Sequence, residues 1–267
     1  MSNTILLFSI NFFSLLIGGF ISVLTYRLPI ILQNRWQAEN HVVVINKKSV
    51  KQPFNLLFPS SHCPNCQQIL CFWQRFPLLS YLFLKGTCAY CQKKIHLRYP
   101  LIELLTVICS SIVVYRFHFS VQTLAVLILT WGLIALSVID IEQYWLPDVL
   151  VLPLLWLGLF LNAFHLFVAS EAAVLGACLA YLSLWILANF YRTLRKKEGM
   201  GQGDCKCFAL LGAWLGVDAL IVILLIASCL GLMITCVLVW AKKSSFETAV
   251  PFGPFLAIAG WLVLLLG

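Results

Sequence analysis

The chain has 267 residues, of which 61% are apolar and only 10% charged, and its formal net charge is +8. An ordinary soluble domain carries roughly a quarter charged residues, so a water-soluble globular fold is excluded and a bilayer is the natural solvent. Positive charge in such a chain is first a matter of membrane topology and anionic lipid, and it is no signal for nucleic acid.

A backbone in hydrocarbon must satisfy its own hydrogen bonds, which calls for helices of about 20 mostly apolar residues. The first such run, 4–24, has no Lys or Arg before it, is longer than a signal-peptide core and is followed by Arg27. It reads as a retained helix that starts outside. A polar segment, 27–98, holds ten of the eighteen Lys and Arg residues. Seven more apolar runs follow, at 101–114, 121–139, 149–168, 172–191, 208–217, 219–240 and 250–266. The sixth span is short, and only Gly216-Val217-Asp218 separates it from the seventh. The predicted fold is an α-helical integral membrane protein of about eight transmembrane helices, with a zinc-binding cytoplasmic domain between the first and second.

Threading the runs as alternating spans puts seventeen of the eighteen basic residues on one side and Arg116 alone on the other. Positive loops stay in the cytoplasm, which orients the chain. The expected division is a first helix at 1–26, a cytoplasmic four-cysteine domain at 27–98 and a transmembrane domain at 99–267.

Two C-x-x-C pairs, Cys63 with Cys66 and Cys88 with Cys91, lie in the basic segment. Paired thiolates at this spacing converge on one tetrahedral ion, and four of them close a structural zinc site; the alternative is four reduced thiols. Most of the other seven cysteines, such as Cys109, Cys178, Cys229 and Cys236, fall in apolar runs and read as small buried hydrophobes. The apolar stretch 72–85 either lies in the membrane interface or forms the core of the module.

Four aspartates occur: Asp140, Asp148, Asp204 and Asp218. A carboxylate near hydrocarbon is costly, so Asp140, closing one apolar run, and Asp204, opening another, are functional candidates. Two carboxyl groups close together share a proton, one serving as base on a water and the other as acid toward a peptide carbonyl. Gly199, Gly201 and Gly203 ahead of Asp204 permit close approach of an extended substrate. Taken alone, Asp204 reads equally as a helix cap. Asp148 looks like a helix start and a supporting residue, and Asp218 like a turn residue on the outer side. Lys206 either orients the Asp204 loop or is a positive-inside residue. Glu103 suits a helix amino end through the dipole. A transporter would want polar groups at mid-span, whereas these aspartates sit at span ends.

Gly201-Gln202-Gly203-Asp204-Cys205-Lys206 resembles the G-x-G-D-x-K segment of type IV prepilin peptidases, and Asp140 with Leu146-Pro147-Asp148 resembles their other catalytic segment. Gly18–Val23, Tyr26–Pro29, the cysteine pairs, Pro77–Tyr81, Leu97–Leu104 and Pro251–Ala257 resemble further blocks of that family, in order along nearly the whole chain. The chain departs from the usual pattern at Gly19, Ser22 and Cys205. The resemblance implies a multi-pass protein of the bacterial inner membrane whose active site faces the cytoplasm. It implies catalysis by Asp140 and Asp204 and cleavage of prepilins and type II secretion pseudopilins after a leader glycine. It further implies N-methylation of the new terminus with S-adenosylmethionine, to which Glu103 would contribute.

Overall fold

The computed structural model describes residues 2–40, 55–56, 63, 65–69, 71, 77–196, 199–241 and 250–267. Residues 72–76 of the apolar stretch and Lys242-Lys243 lie outside the described residues. The described chain is helical, with α1 Ser2–Asn40, α2 Pro77–Phe83, α3 Arg98–Phe117, α4 Val121–Gln143, α5 Asp148–Ala163, α6 Ser170–Arg195, α7 Gln202–Leu215, α8 Leu220–Trp240 and α9 Gly253–Leu266. Five helices among the described residues, α1, α3, α4, α6 and α8, are long and apolar enough to cross a membrane, and α5 and α9 are shorter apolar helices. The chain forms two compact units, Met1–Phe119 and Ser120–Gly267.

In the first unit α1 and α3 pack antiparallel along a polar seam. Ser111 Oγ donates to Asn11 Oδ1 at 2.8 Å near one end, and Arg98 Nη2 donates to Thr25 Oγ1 at 2.9 Å near the other. Between them the helices touch at Gly18, where an added Cβ would lie 2.8 Å from the Glu103 Cα. Small residues let helices approach in lipid, where packing and interhelical hydrogen bonds replace the hydrophobic drive. The first helix runs well beyond the apolar run and through Pro29. Proline removes the N–H that would reach back one turn, and the helix nonetheless continues to Asn40. Arg27 does not end it either: its side chain is buried, and its Nη1 donates to the carbonyls of Asn55 and Leu56 at 3.1 and 3.2 Å.

The second unit is built around α7, whose residues Cys205 and Cys207–Trp214 are all buried. A helix apolar on every side belongs inside a bundle, which accounts for a length of 14 residues. Helices α6 and α7 cross where backbones touch, since a Cβ on Gly176 would sit 2.6 Å from the Gly212 carbonyl oxygen. Helices α5 and α7 run parallel. Trp214 Nε1 donates to the Leu154 carbonyl at 2.8 Å, and Asn162 Nδ2 donates to the carbonyls of Ala213 and Trp214 at 2.9 and 3.1 Å. Asn162 Oδ1 accepts the N–H groups of Phe167 and Val168 at 3.1 and 3.2 Å, so the fourth apolar run leaves the helix after Ala163 and turns. Helix α7 ends at Gly216, whose φ of 76° takes the left-handed region open to glycine. Helix α9 lies antiparallel to α4, with Trp261 Nε1 donating to Thr130 Oγ1 at 3.0 Å. These pairings gather the end of α4 and the starts of α5, α7 and α9 at one end of the unit.

Candidate functional site

Asp140 lies in the last turn of α4, which stops at Tyr144 in the left-handed region with its N–H on the Asp140 carbonyl. Only 4% of Asp140 is exposed, and its Oδ2 accepts the Gly253 N–H at 3.0 Å. After Tyr144 the chain turns through buried Leu146 to Pro147, and Asp148 opens α5. Leu146 closes against both glycine segments: a Cβ on Gly203 would stand 3.0 Å from the Leu146 Cβ, and one on Gly253 3.2 Å from its Cδ1.

Gly201 is the N-cap of α7 and Asp204 lies in its first turn, with the Asp204 N–H on the Gly201 carbonyl at 3.2 Å. Lys206 Nζ reaches both carboxylate oxygens of Asp148, at 2.8 and 2.7 Å, tying the first turn of α7 to the first residue of α5. Asp140 and Asp204 both line one cavity of about 240 Å³, together with Asp148, Gly201, Gly203 and Lys206. Tyr144, Trp145 and Gln202 complete its wall. Sequence reasoning did not single out Tyr144 and Trp145, whose local pattern is that of ordinary loop residues, and it met Gln202 and Gly253 only as members of longer blocks, with no role of their own. Asp218 is exposed in the turn between α7 and α8.

In the first unit the sulfur atoms of Cys63, Cys66, Cys88 and Cys91 lie within 4.8 Å of one another. The two pairs adopt one local fold. Cys63 N–H donates to the Gln68 carbonyl and the Gln67 N–H to the Cys63 carbonyl, as Cys88 N–H does to Lys93 and Gln92 N–H to Cys88, all at 2.9–3.0 Å. Gln67 and Gln92 are both left-handed, with φ of 56° and 55°. Around an ion with Zn–S bonds of about 2.3 Å a tetrahedron has an S···S edge of roughly 3.8 Å, and Cys63 and Cys91 stand 3.8 Å apart. The Cys91 thiol is held down at about 6, chiefly by the Lys93 backbone N–H and against the effect of desolvation, so it is largely thiolate at neutral pH. The donor set and its spacing fit a metal ion.

Glu103 is fully buried in the α1/α3 seam. One of its oxygens accepts the Leu78 N–H at the start of α2 at 2.6 Å, while Oε1 has no hydrogen-bond partner among the described residues. Ser14 and Ser22 of α1, on the face that also carries Gly18, have buried hydroxyls without partners among the described residues. Because buried polar atoms are nearly always paired, this cluster calls for a physical explanation beyond helix packing.

Residues 12–117 match the bacterial peptidase A24 N-terminal domain, and residues 127–236 match the type IV leader peptidase family. A prepilin leader peptidase/N-methyltransferase of Pseudomonas putida is 46% identical over 253 residues, covering 95% of this chain and 88% of the relative. This chain belongs to the type IV leader peptidase family. Proteins of the same description from Aeromonas hydrophila and Neisseria gonorrhoeae are 45% and 44% identical, covering 98% and 93% of the chain and 91% and 86% of the relatives. No solved structure matches it. As a leader peptidase the chain is a membrane enzyme, and both aspartate segments fall inside the stretch matched to the peptidase family.

Proposed function

We propose that this leader peptidase hydrolyses prepilins and type II secretion pseudopilins after the terminal glycine of the leader, with Asp140 and Asp204 as its acid–base pair. The observation that carries this is one cavity into which three helix ends bring Asp140, Asp204 and Asp148, of which Asp148 is paired with Lys206. In the reading, the ionised carboxyl takes a proton from a water that attacks the scissile carbonyl, and the protonated one donates to the carbonyl oxygen. The tetrahedral intermediate then collapses as the carboxyl that took the water proton gives it to the leaving nitrogen and the other recovers a proton from a gem-diol hydroxyl, and no covalent adduct with the enzyme forms. Gly201 gives an extended substrate room beside Asp204, Gly203 lets the α7 start close on Leu146, and Lys206 with Asp148 supports the α5 and α7 starts.

The remaining assignments follow the charge pattern and the relatives. Helices α1 and α3–α9 form eight spans in a bacterial inner membrane, with the basic ends and the active site toward the cytoplasm. Residues 1–26 anchor the chain, residues 27–98 form the cysteine domain, and residues 99–267 carry the peptidase. Cys63, Cys66, Cys88 and Cys91 would hold a structural zinc ion that folds a segment with little core of its own. S-adenosylmethionine would supply the methyl group for the new amino terminus. Glu103, whose open oxygen suits an amine donor, would support that transfer.

The test is cleavage of a co-expressed prepilin. Asp140→Asn and Asp204→Asn are each expected to lower cleavage by about 10² to 10⁴, the range of acid–base catalysis, while Asp218→Asn stays near the parent rate. Normal cleavage by either of the first two variants, at normal membrane abundance, refutes the assignment.

A further inference from the structure

We infer that Gly253, the first residue of α9, is a positioning residue for the carboxylate of Asp140. The inference rests on the reading of Asp140 as catalytic. Every helix starts with N–H groups that have no partner inside the helix. In α9 the N-cap Phe252 gives no side-chain bond, Pro254 has no N–H, and the Phe255 and Leu256 N–H groups already reach the Phe252 carbonyl at 3.1 and 3.2 Å. The Gly253 N–H goes to Asp140 Oδ2 at 3.0 Å, a buried bond between residues 113 positions apart. Asp140 thus caps α9 from another helix, and α9 in turn fixes one oxygen of Asp140.

Backbone conformation does not demand glycine here, since Gly253 is not among the residues of positive φ. The neighbours do. An added Cβ would stand 2.7 Å from Asp140 Oδ2, 3.2 Å from Leu146 Cδ1 and 3.3 Å from Asp140 Cγ. Real Cβ atoms essentially never come that close to an oxygen, so any side chain at 253 displaces the carboxylate itself. Asp140 also sits at the negative end of the α4 dipole, which gives its carboxylate no support from its own helix. The anchor must come from elsewhere, and α9 provides it.

Displacement of a reacting group by about 1 Å can cost on the order of a hundredfold in rate. Gly253→Ala in the full-length enzyme, assayed on a prepilin in detergent, should therefore lower kcat by about fivefold or more with KM within about twofold. Gly260→Ala serves as the packing control, because the three atoms nearest its Cβ would all belong to the Leu211 side chain. It should reduce stability without the same loss of kcat per folded enzyme. A kcat loss below about fivefold in Gly253→Ala, or a loss matched by Gly260→Ala at equal folded fraction, overturns the inference. If Asp140→Asn itself cleaves normally, the catalytic reading fails first; if it is inactive while Gly253→Ala is fully active, the positioning role alone fails. Should the alanine variant not accumulate, replacing the Gly253 amide by an ester removes the N–H and adds no side chain, and the same fivefold criterion applies.

Discussion

Lys206 and Asp148 offer a perturbation whose size follows from the structure. Nζ stands 2.7 Å from the nearer carboxylate oxygen, and the two side chains are 27% and 51% exposed. Two unit charges at that separation attract by about 1.5 kcal/mol in water, and side-chain ordering reduces this, so exposed pairs come to about 0–1 kcal/mol. A contribution of about 0.5–1 kcal/mol to holding the α5 and α7 starts corresponds to roughly a two- to fivefold effect on rate. Lys206→Met and Asp148→Asn should therefore each slow prepilin cleavage modestly, and the double variant should be no worse than the poorer single one. Salt should act the same way on the parent enzyme, because about 1 M shortens the screening length to roughly 3 Å. The assay is steady-state cleavage of purified prepilin at low and high salt. A loss of about a hundredfold in Asp148→Asn, with Lys206→Met nearly unaffected, would put Asp148 in the chemistry and refute its supporting role.

Two further outcomes bear on the first unit. Cys63→Ser should abolish the zinc bound by the purified protein, measured by atomic emission; an unchanged metal content removes the four-cysteine site from consideration. Glu103→Gln keeps the shape of the side chain and replaces its acceptor oxygen by a donor group in one orientation. It should depress N-methylation of the product more than cleavage, read by mass spectrometry of the mature amino terminus, and equal losses of both would count against a role in methyl transfer.

Much of the second unit was legible because lipid imposes a simple rule: long apolar runs become helices, and charges are pushed to their ends. The rule singled out Asp140 and Asp204 as candidates among only four aspartates, and C-x-x-C spacing singled out the four cysteines that the fold gathers. It was blind where tertiary contacts decide. Helix α1 continues to Asn40 through Pro29, well past the apolar run from which a hydropathy count would draw it. Asn162 ends α5 through four hydrogen bonds to residues five to 52 positions away. Gln67 and Gln92 take a left-handed turn more often given to Gly or Asn, because the cysteine loops require it there. Gly253 belonged to a block that resembled the family, but the reason for a glycine at that position is a carboxylate 113 residues earlier in the chain.

The two glycines beside Asp204 differ in a way that bears on substrate access. Gly203 is fixed by packing, since its Cβ would press on Leu146. Gly201 is not: a Cβ there would find nothing nearer than 3.7 Å, and the residue sits in the extended region at φ −75° and ψ 150°, open to any amino acid. Neither strain nor a neighbour in the fold asks for glycine at 201. The open space belongs to the cavity itself, on the side where Asp204 Oδ2 lies closest. A peptide bond within a helix has its N–H and C=O engaged, so a substrate must be extended to be cut, and an extended chain needs room for its own backbone beside the carboxylates. Helix starts are where a membrane protein has such room, together with unpaired N–H groups to meet it. On the proposed mechanism, the bare backbone at Gly201 would leave that room, and the scissile segment would enter from the α7 start.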